Sequence, residues 1–207
     1  MSAFWDALAE QRVLPVIVLD DPGAALPLAD TLAGAGMRCL EITLRTAAAI
    51  PAIGLLRDDE RLLVGAGSVM DAADADRAAA AGARFLVSPG LHHGTVARAR
   101  ALDLPILPGV ATASELQAAR ELGLGTVKFF PAEPLGGVAA VRALAGPFPA
   151  MRLVPTGGVG ADDVAAYLAE PTVPAVGGSW MVRPELIRAG EWGRIGELAR
   201  AAVATRG

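Results

Sequence analysis

The sequence predicts an α/β protein, because short apolar runs alternate with alanine-rich helical segments along all 207 residues. Glycine, proline, serine or threonine closes most of the runs, as turns between strands and helices require. Eight runs fit this description: residues 13–19, 38–44, 62–67, 84–88, 105–109, 126–130, 152–156 and 174–178. Each is long enough for one strand, so eight strands are expected.

Single helices between strands are typical of parallel βαβ units, and eight successive units predict a (β/α)8 TIM barrel. An extra helix over Ala3–Gln11 is predicted before the first strand. The alternative is a doubly wound open sheet. The first strand–helix junction, residues 19–23, lacks the G-x-G-x-x-G spacing of a dinucleotide fold, which disfavours that alternative. No linker interrupts residues 1–207, so one catalytic domain is expected.

The predicted helix starts carry side chains that can accept hydrogen bonds from the first backbone N–H groups. The candidate N-caps are Asp21 before Pro22, Asp71, Asp162, and Thr112 with Glu115 as a capping box. These caps follow the apolar runs and therefore support the same division into strand–helix units.

Charge and hydropathy exclude several classes of partner. The net charge is −4, 53% of residues are hydrophobic, and acidic and basic residues are interspersed. Neither a nucleic acid nor a membrane is therefore expected as a partner. The longest uncharged run, residues 85–97, is shorter than the ~20 apolar residues of a spanning helix.

The single cysteine, Cys39, excludes an internal disulfide framework and is typical of a reducing compartment. The first ten residues contain Asp6 and Glu10 and do not resemble a signal peptide. We therefore expect a soluble, cytoplasmic protein.

Lys128 is the only lysine in the chain, and it stands in an apolar run between Val127 and Phe129. A desolvated lysine can lose its proton and attack a carbonyl carbon, whereas an arginine does not deprotonate. The hypothesis is a Schiff-base lysine. The alternative is that Lys128 has no chemical role and remains by chance in a composition that disfavours lysine.

Alternation along two strands places the candidate chemical groups together. Glu41, Thr43 and Arg45 share one face of the second run, and Lys128 and Phe130 share one face of the sixth. If both faces point inward, an amine, a carboxylate and a guanidinium share one cavity, as retro-aldol cleavage of a 2-keto acid requires. The alternative for Glu41 and Arg45 is an ion pair that braces the fold.

Glycines close the seventh and eighth runs, at Gly157 and Gly158 and at Gly177 and Gly178, the latter followed by Ser179. Loops at these positions of a TIM barrel frequently bind phosphate through backbone N–H groups. The alternative is two tight turns that need positive φ angles.

The neighbouring histidines, His92 and His93, are expected at the surface of a helix start. No third residue completes a metal site with them, so no metal and no other cofactor is expected.

Several segments together carry a resemblance: EITLRT at 41–46, GAGSV at 65–69, SPGL at 88–91, KFFPAE at 128–133, GPF at 146–148, PTGG at 155–158 and GGSW at 177–180. In this order they resemble the 2-keto-3-deoxy-6-phosphogluconate (KDPG) aldolase family, whose members also act on 4-hydroxy-2-oxoglutarate. The resemblance covers nearly the whole chain. It implies a homotrimer of (β/α)8 barrels.

The resemblance also implies residue roles. Lys128 forms the Schiff base and Glu41 is the general acid and base. The substrate carboxylate is expected at Arg45, Ser68 and Thr156, the phosphate at Gly157, Gly158, Gly177, Gly178 and Ser179, and the pocket wall at Pro89 and Phe130. Position 68 departs slightly from the family pattern, which usually has threonine there.

The expected activity is that of a class I aldolase that cleaves KDPG to pyruvate and glyceraldehyde 3-phosphate. Cleavage of 4-hydroxy-2-oxoglutarate to pyruvate and glyoxylate is expected as well. The alternatives are a 2-keto-3-deoxy-6-phosphogalactonate aldolase and a non-aldolase barrel that binds a phosphorylated metabolite.

Overall fold

The computed structural model describes residues 3–205, which form nine strands and ten α-helices. The strands are β1 Val13–Ile17, β2 Cys39–Thr43, β3 Leu63–Gly67, β4 Leu86–Val87, β5 Ile106–Leu107, β6 Gly109–Val110, β7 Thr126–Phe129, β8 Arg152–Pro155 and β9 Val176–Gly178. The helices are α1 Ala3–Gln11, α2 Ala25–Gly34, α3 Ala49–Leu55, α4 Ala72–Ala81, α5 His93–Ala101, α6 Ala113–Glu121, α7 Gly137–Ala145, α8 Val164–Leu168, α9 Pro184–Arg188 and α10 Trp192–Ala204. The predicted N-terminal helix is confirmed, and every predicted run contains a strand.

The strands form two parallel sheets. Six strands are joined in the order β5-β4-β3-β2-β1-β9, and three in the order β6-β7-β8. All pairs that have a defined register are parallel. The predicted α/β alternation with parallel strands is therefore correct.

The predicted closed eight-stranded barrel is wrong. The run at 105–109 divides between the sheets, since β5 pairs with β4 and β6 pairs with β7. Pro108 separates the two pieces and has no N–H to donate to a strand ladder. At the other junction, within residues 3–205, a single bridge between Thr156 and Gly177 is the only pairing of the two sheets. The continuous strand ladder of a closed barrel is thus interrupted at both junctions between the two sheets.

The two faces of the sheets belong to two different clusters of buried apolar residues. Leu40, Ile42 and Phe129 belong to the large apolar cluster that the helices cover. Cys39 and Val154 belong to a second cluster on the opposite face, which we call the inner face. Alternation along a strand separates neighbouring residues in this way.

Helix α1 packs on the inner face and ends in a buried glutamine. Phe4 of α1 stacks on the Phe85 ring, with centroids 3.9 Å apart. The Gln11 amide donates to the carbonyl of Cys39 at 2.8 Å, and its oxygen accepts from the Cys39 N–H at 2.8 Å. Gln11 thereby ties α1 to the first residue of β2.

Three of the four predicted caps are confirmed. Asp21 caps a 3₁₀ turn over Pro22–Ala24, and Asp71 caps α4 by accepting from the Asp74 N–H. Thr112 and Glu115 form the capping box of α6. The prediction for Asp162 is wrong, because Asp163 is the N-cap residue of α8 and its carboxylate accepts from Gly160 N–H. Among residues 3–205, no helix combines the length and apolar character that crossing a membrane requires.

Candidate active site

Lys128 and Glu41 lie together on the inner face. The ammonium nitrogen Nζ of Lys128 is 4.0 Å from Oε1 of Glu41, and the two side chains are only 6% and 2% exposed. The expected proximity is confirmed. Four ångströms is within the range of an ion pair but longer than a direct hydrogen bond.

Strand β7 directs Lys128 to this face. Val127 and Phe129, its neighbours, enter the helix-covered cluster. Lys128 pairs in register with Gly109 of β6 and Val154 of β8. Its position in the middle strand of the smaller sheet holds the backbone on both sides.

Phe130 lines the space around the amine. The Lys128 nitrogen is 5.0 Å from the centre of the Phe130 ring, within the range of a cation–π contact. The Phe130 ring, which the sequence predicts as a pocket wall, therefore lies beside the amine. It also gives the ammonium an apolar neighbour beside the carboxylate.

The Glu41 carboxylate fits because residue 67 has no side chain. A Cβ atom at Gly67 would lie 1.8 Å from Glu41 Oε1 and 2.5 Å from its carboxyl carbon. Gly67 ends β3, the strand that pairs with β2. No role was predicted for Gly67, and its place in the GAGSV segment is the only local signal for one.

Arg45 and Ser68 lie side by side beyond the ends of β2 and β3. The Arg45 Nε donates to Ser68 Oγ at 3.4 Å, and Arg45 is exposed. Among residues 3–205, Glu41 is paired with Lys128 and makes no ion pair with Arg45 within 4.0 Å. The bracing ion pair considered from the sequence is therefore absent.

Ser68 has a left-handed backbone, with φ of 57°. Such a conformation is uncommon for a residue other than glycine and often marks a functional turn. It places the hydroxyl within reach of Arg45. The chain therefore tolerates local strain at one of the predicted carboxylate-binding residues.

Thr156 and Gly177 join the two sheets. Thr156 is buried, and a Cβ at Gly177 would lie 2.4 Å from Thr156 Oγ1. The hydroxyl makes a long bond of 3.4 Å to the Val154 carbonyl. The missing side chain at 177 therefore leaves room for the threonine.

Gly157 and Gly158 form a turn that only glycine adopts easily. Their φ angles are 98° and 85°. A Cβ at Gly157 would lie 3.0 Å from the Phe130 ring, so the turn packs against the wall of the lysine pocket. The turn is thus adjacent to Lys128, and the tight-turn alternative also holds for these two residues.

Gly178 and Ser179 follow the bridge at the end of β9. A Cβ at Gly178 would lie 1.9 Å from the Trp180 ring, which explains the glycine by packing. Ser179 is exposed. Its hydroxyl is therefore accessible beside the end of the strand.

Pro89 lies on the other side of the site, after β4. Its carbonyl oxygen would be 2.0 Å from a Cβ at Gly109, the register partner of Lys128. The Ser88 hydroxyl donates to the Gly90 carbonyl at 2.8 Å and holds this loop. The loop therefore closely approaches β6, the strand that pairs with the lysine strand β7.

The two histidines are exposed, as predicted. His92 is the N-cap of α5, and its Nδ1 accepts from the Thr95 N–H at 3.2 Å. Within residues 3–205 no group of three or more His, Cys, Asp or Glu side chains is arranged to hold a metal ion.

Glu133 makes a contact that the sequence reasoning missed. Glu133 is the first residue of a 3₁₀ turn over Glu133–Leu135, and its carboxylate accepts a hydrogen bond from the Tyr167 hydroxyl. Burial, followed by this bond and by the charges of Glu133 and Asp163, raises the pKa of Tyr167. The two residues are far apart in sequence, so no local pattern pointed to the pair.

Comparison with known proteins identifies the family. Residues 5–198 match the family described as KDPG and KHG aldolase. The chain belongs to this family. It is 45% identical over 201 residues to the 2-dehydro-3-deoxy-phosphogluconate aldolase of Treponema pallidum, covering 97% of this chain and 96% of that protein. The KDPG and KHG aldolases are lyases, so this chain is an enzyme of that class.

Solved structures of KDPG aldolases share the fold. The enzyme from Legionella pneumophila, with pyruvate captured as a covalent carbinolamine intermediate, has a TM-score of 0.92 and 40% identity, covering 96% of this chain and 97% of that one. The enzyme from Zymomonas mobilis ZM4 with 3-phosphoglycerate has a TM-score of 0.91 and 38% identity, covering 98% and 96%. Pyruvate and a phosphorylated acid are thus ligands of these two relatives.

Proposed function

We propose that this chain is a class I aldolase that cleaves KDPG to pyruvate and glyceraldehyde 3-phosphate through a Schiff base on Lys128. The observation that carries the proposal is the buried pair of Lys128 and Glu41, with 4.0 Å between Nζ and Oε1. Captured pyruvate in the Legionella relative supports the same chemistry. The matched family, which includes KHG aldolases, supports 4-hydroxy-2-oxoglutarate as a second substrate that yields pyruvate and glyoxylate.

The amine and the carboxylate have separate tasks. The neutral amine of Lys128 attacks the C2 carbonyl of the substrate, and uptake of one proton from solvent with loss of water leaves a cationic iminium. Glu41 removes the proton of the C4 hydroxyl, and the C3–C4 bond breaks. The bond electrons pass to C3 and into the iminium, which becomes an enamine as glyceraldehyde 3-phosphate leaves. Protonation at C3 by Glu41 and hydrolysis release pyruvate and the free amine.

The surrounding residues orient the substrate. Arg45, Ser68 and Thr156 hold the carboxylate next to C2, because a guanidinium and two hydroxyls supply donors for it. The turn at Gly157 and Gly158 exposes backbone N–H groups for the phosphate. Gly177, Gly178 and Ser179 complete that anion site from β9, and Pro89 and Phe130 form the walls.

Trapping with borohydride tests this proposal. In the presence of pyruvate, reduction should fix one pyruvate on the wild-type protein, and peptide mapping should place it at Lys128, the only lysine side chain. Lys128→Met should not be labelled. An unlabelled wild-type protein, or an adduct elsewhere, would reject the Schiff-base mechanism. Retained turnover with a chelator is also expected, because the iminium serves as the electron sink.

Relative kcat/KM values test the choice of substrate. KDPG should exceed both its C4 epimer, the phosphogalactonate analogue, and 4-hydroxy-2-oxoglutarate. A preference for the epimer would assign the chain to the phosphogalactonate series.

We also propose a single catalytic domain that assembles as a homotrimer and works in the cytoplasm. The match over residues 5–198 supports one domain. The trimer rests on the family resemblance, and the buried free thiol of Cys39 suits a reducing compartment. Light scattering should give three times the chain mass, and a monomer would reject the trimer.

A further inference from the structure

Glu133 and Tyr167 are joined across the turn that contains Gly157 and Gly158. Glu133 starts the 3₁₀ turn after β7, over Glu133–Leu135, and Tyr167 is in α8, the first helix after the glycine turn. The Tyr167 hydroxyl donates to Glu133 Oε1. The hydrogen bond therefore links the segments on either side of the glycine turn.

Glu133 also contacts the turn itself. Its backbone N–H donates to the Gly157 carbonyl at 3.0 Å. A Cβ at Gly158 would lie 2.7 Å from the Glu133 Cβ and 3.0 Å from its Cγ. The Cβ and Cγ atoms of Glu133 thus lie against Gly158, while its backbone N–H binds the Gly157 carbonyl. A shift of Glu133 must move the turn.

The surroundings keep the carboxylate and the phenol in place. Tyr167 is fully buried, so its ring has little freedom. A Cβ at Gly137, the first residue of α7, would lie 3.4 Å from Glu133 Oε1 and 3.5 Å from the Tyr167 hydroxyl. The positive end of the α7 dipole favours a carboxylate there. A phenol is protonated at neutral pH and can donate this hydrogen bond, and burial raises the pKa of Tyr167 further.

We propose that Glu133 and Tyr167 are positioning residues that hold the turn at Gly157 and Gly158 in the shape that binds the substrate phosphate. This inference rests on the proposed function, because it assumes that the turn receives the phosphate. Neither residue acts on the reacting carbon atoms. Their effect should therefore depend on whether a substrate carries a phosphate.

The test is Tyr167→Phe, which removes the hydroxyl and keeps the ring. KM for KDPG should rise on the order of tenfold, the size expected for losing one hydrogen bond to a charged group. Its kcat should change less than about twofold, since Lys128 and Glu41 are untouched. The kcat/KM for unphosphorylated 4-hydroxy-2-oxoglutarate should stay within the same limit. A purely structural role would lower activity on both substrates together.

Two further variants identify the hydrogen bond as the cause. Glu133→Gln keeps an oxygen that can accept from Tyr167, so it should retain most of the affinity for KDPG, whereas Glu133→Ala should lose it. The double variant Glu133→Ala/Tyr167→Phe should be no worse than Glu133→Ala alone, as expected for two partners of one interaction. Ile195→Val, at a buried position of α10, is the matched control for a small loss of stability and should leave both substrates unaffected.

Opposite results separate this inference from the proposed function. Equal losses on both substrates, or an unchanged KM for KDPG in Tyr167→Phe and Glu133→Ala, would overturn the positioning role. If Gly157→Ala nevertheless raises that KM, the phosphate site stands and only the role of the pair is wrong. If Gly157→Ala also has no effect, the turn does not bind phosphate and both proposals for this turn are overturned. If Tyr167→Phe does not fold, Glu133→Ala decides alone, because Glu133 is exposed.

Discussion

The Glu41 carboxylate occupies the space that a side chain at Gly67 would fill. Only 1.8 Å separates Glu41 Oε1 from the position of a Cβ at residue 67. Real Cβ atoms do not approach an oxygen so closely, so any larger residue must displace Glu41 from Lys128. The identity of residue 67 therefore determines whether the amine and the carboxylate can meet.

Gly67→Ala should reduce kcat on the order of 10²-fold, because the general acid and base is moved. Trapping of pyruvate on Lys128 should persist. Gly54→Ala is the matched control, since a Cβ at Gly54 meets nothing within 4 Å in α3. Unchanged turnover in Gly67→Ala would show that Glu41 does not need its present position.

Glu41→Gln should lose ~10²- to 10⁴-fold in kcat and still form the reduced pyruvate adduct. The amide preserves the shape of the side chain but cannot take up the C4 hydroxyl proton. Steady-state kinetics and intact mass after borohydride give the two readings. Glu197→Gln, an exposed carboxylate in α10, is the control. Full activity in Glu41→Gln would assign Glu41 a purely structural pairing with Lys128.

Ser68→Ala should weaken binding of the pyruvate carboxylate by about tenfold, because Arg45 loses the hydroxyl that accepts from its Nε. The measurement is the pyruvate concentration that gives half-maximal borohydride trapping. Ser114→Ala, at an exposed position of α6, should leave this concentration unchanged. If Ser68→Ala behaves in the same way, the hydroxyl does not contribute to the carboxylate site.

Stability should fall at alkaline pH because of Cys39. Burial raises the pKa of this thiol from 9.0 to about 12, and the charge of Arg38 lowers it slightly. Below about pH 9 both the folded and unfolded chains keep the proton, and the full stability is present. As pH rises from about 9 towards 12, only the unfolded chain ionises, so the free energy of unfolding falls by up to about 1.4 kcal/mol per pH unit.

Urea unfolding between about pH 8 and 10 measures this slope, and Cys39→Ala should remove it. The upper limit avoids Tyr167, whose pKa is also raised and which acts in the same direction above about pH 10. Equal slopes in the wild-type protein and in Cys39→Ala would mean that the buried thiol ionises as readily as an exposed one.

Much of the site was predictable because side-chain direction in a strand is a local property. The period of two places Glu41 opposite Leu40 and Ile42, and Lys128 opposite Val127 and Phe129, whichever strands are neighbours. Helix caps are local as well, so Asp71 and Thr112 were assigned correctly. Asp162 was not, because the N-cap position of α8 falls one residue later, at Asp163, whose side chain makes no capping hydrogen bond to the helix.

The sequence by itself determined the parallel α/β alternation, the N-terminal helix, the inner face that Lys128 and Glu41 share, and the family. Tertiary structure alone decided that the strands form sheets of six and three, that Gly67 makes room for Glu41, and that Tyr167 reaches Glu133. The physical reason is the sequence separation over which each interaction acts. Alternation and capping depend on a few neighbouring residues, whereas strand closure, occupied space and a hydrogen bond between distant segments depend on how the whole chain packs.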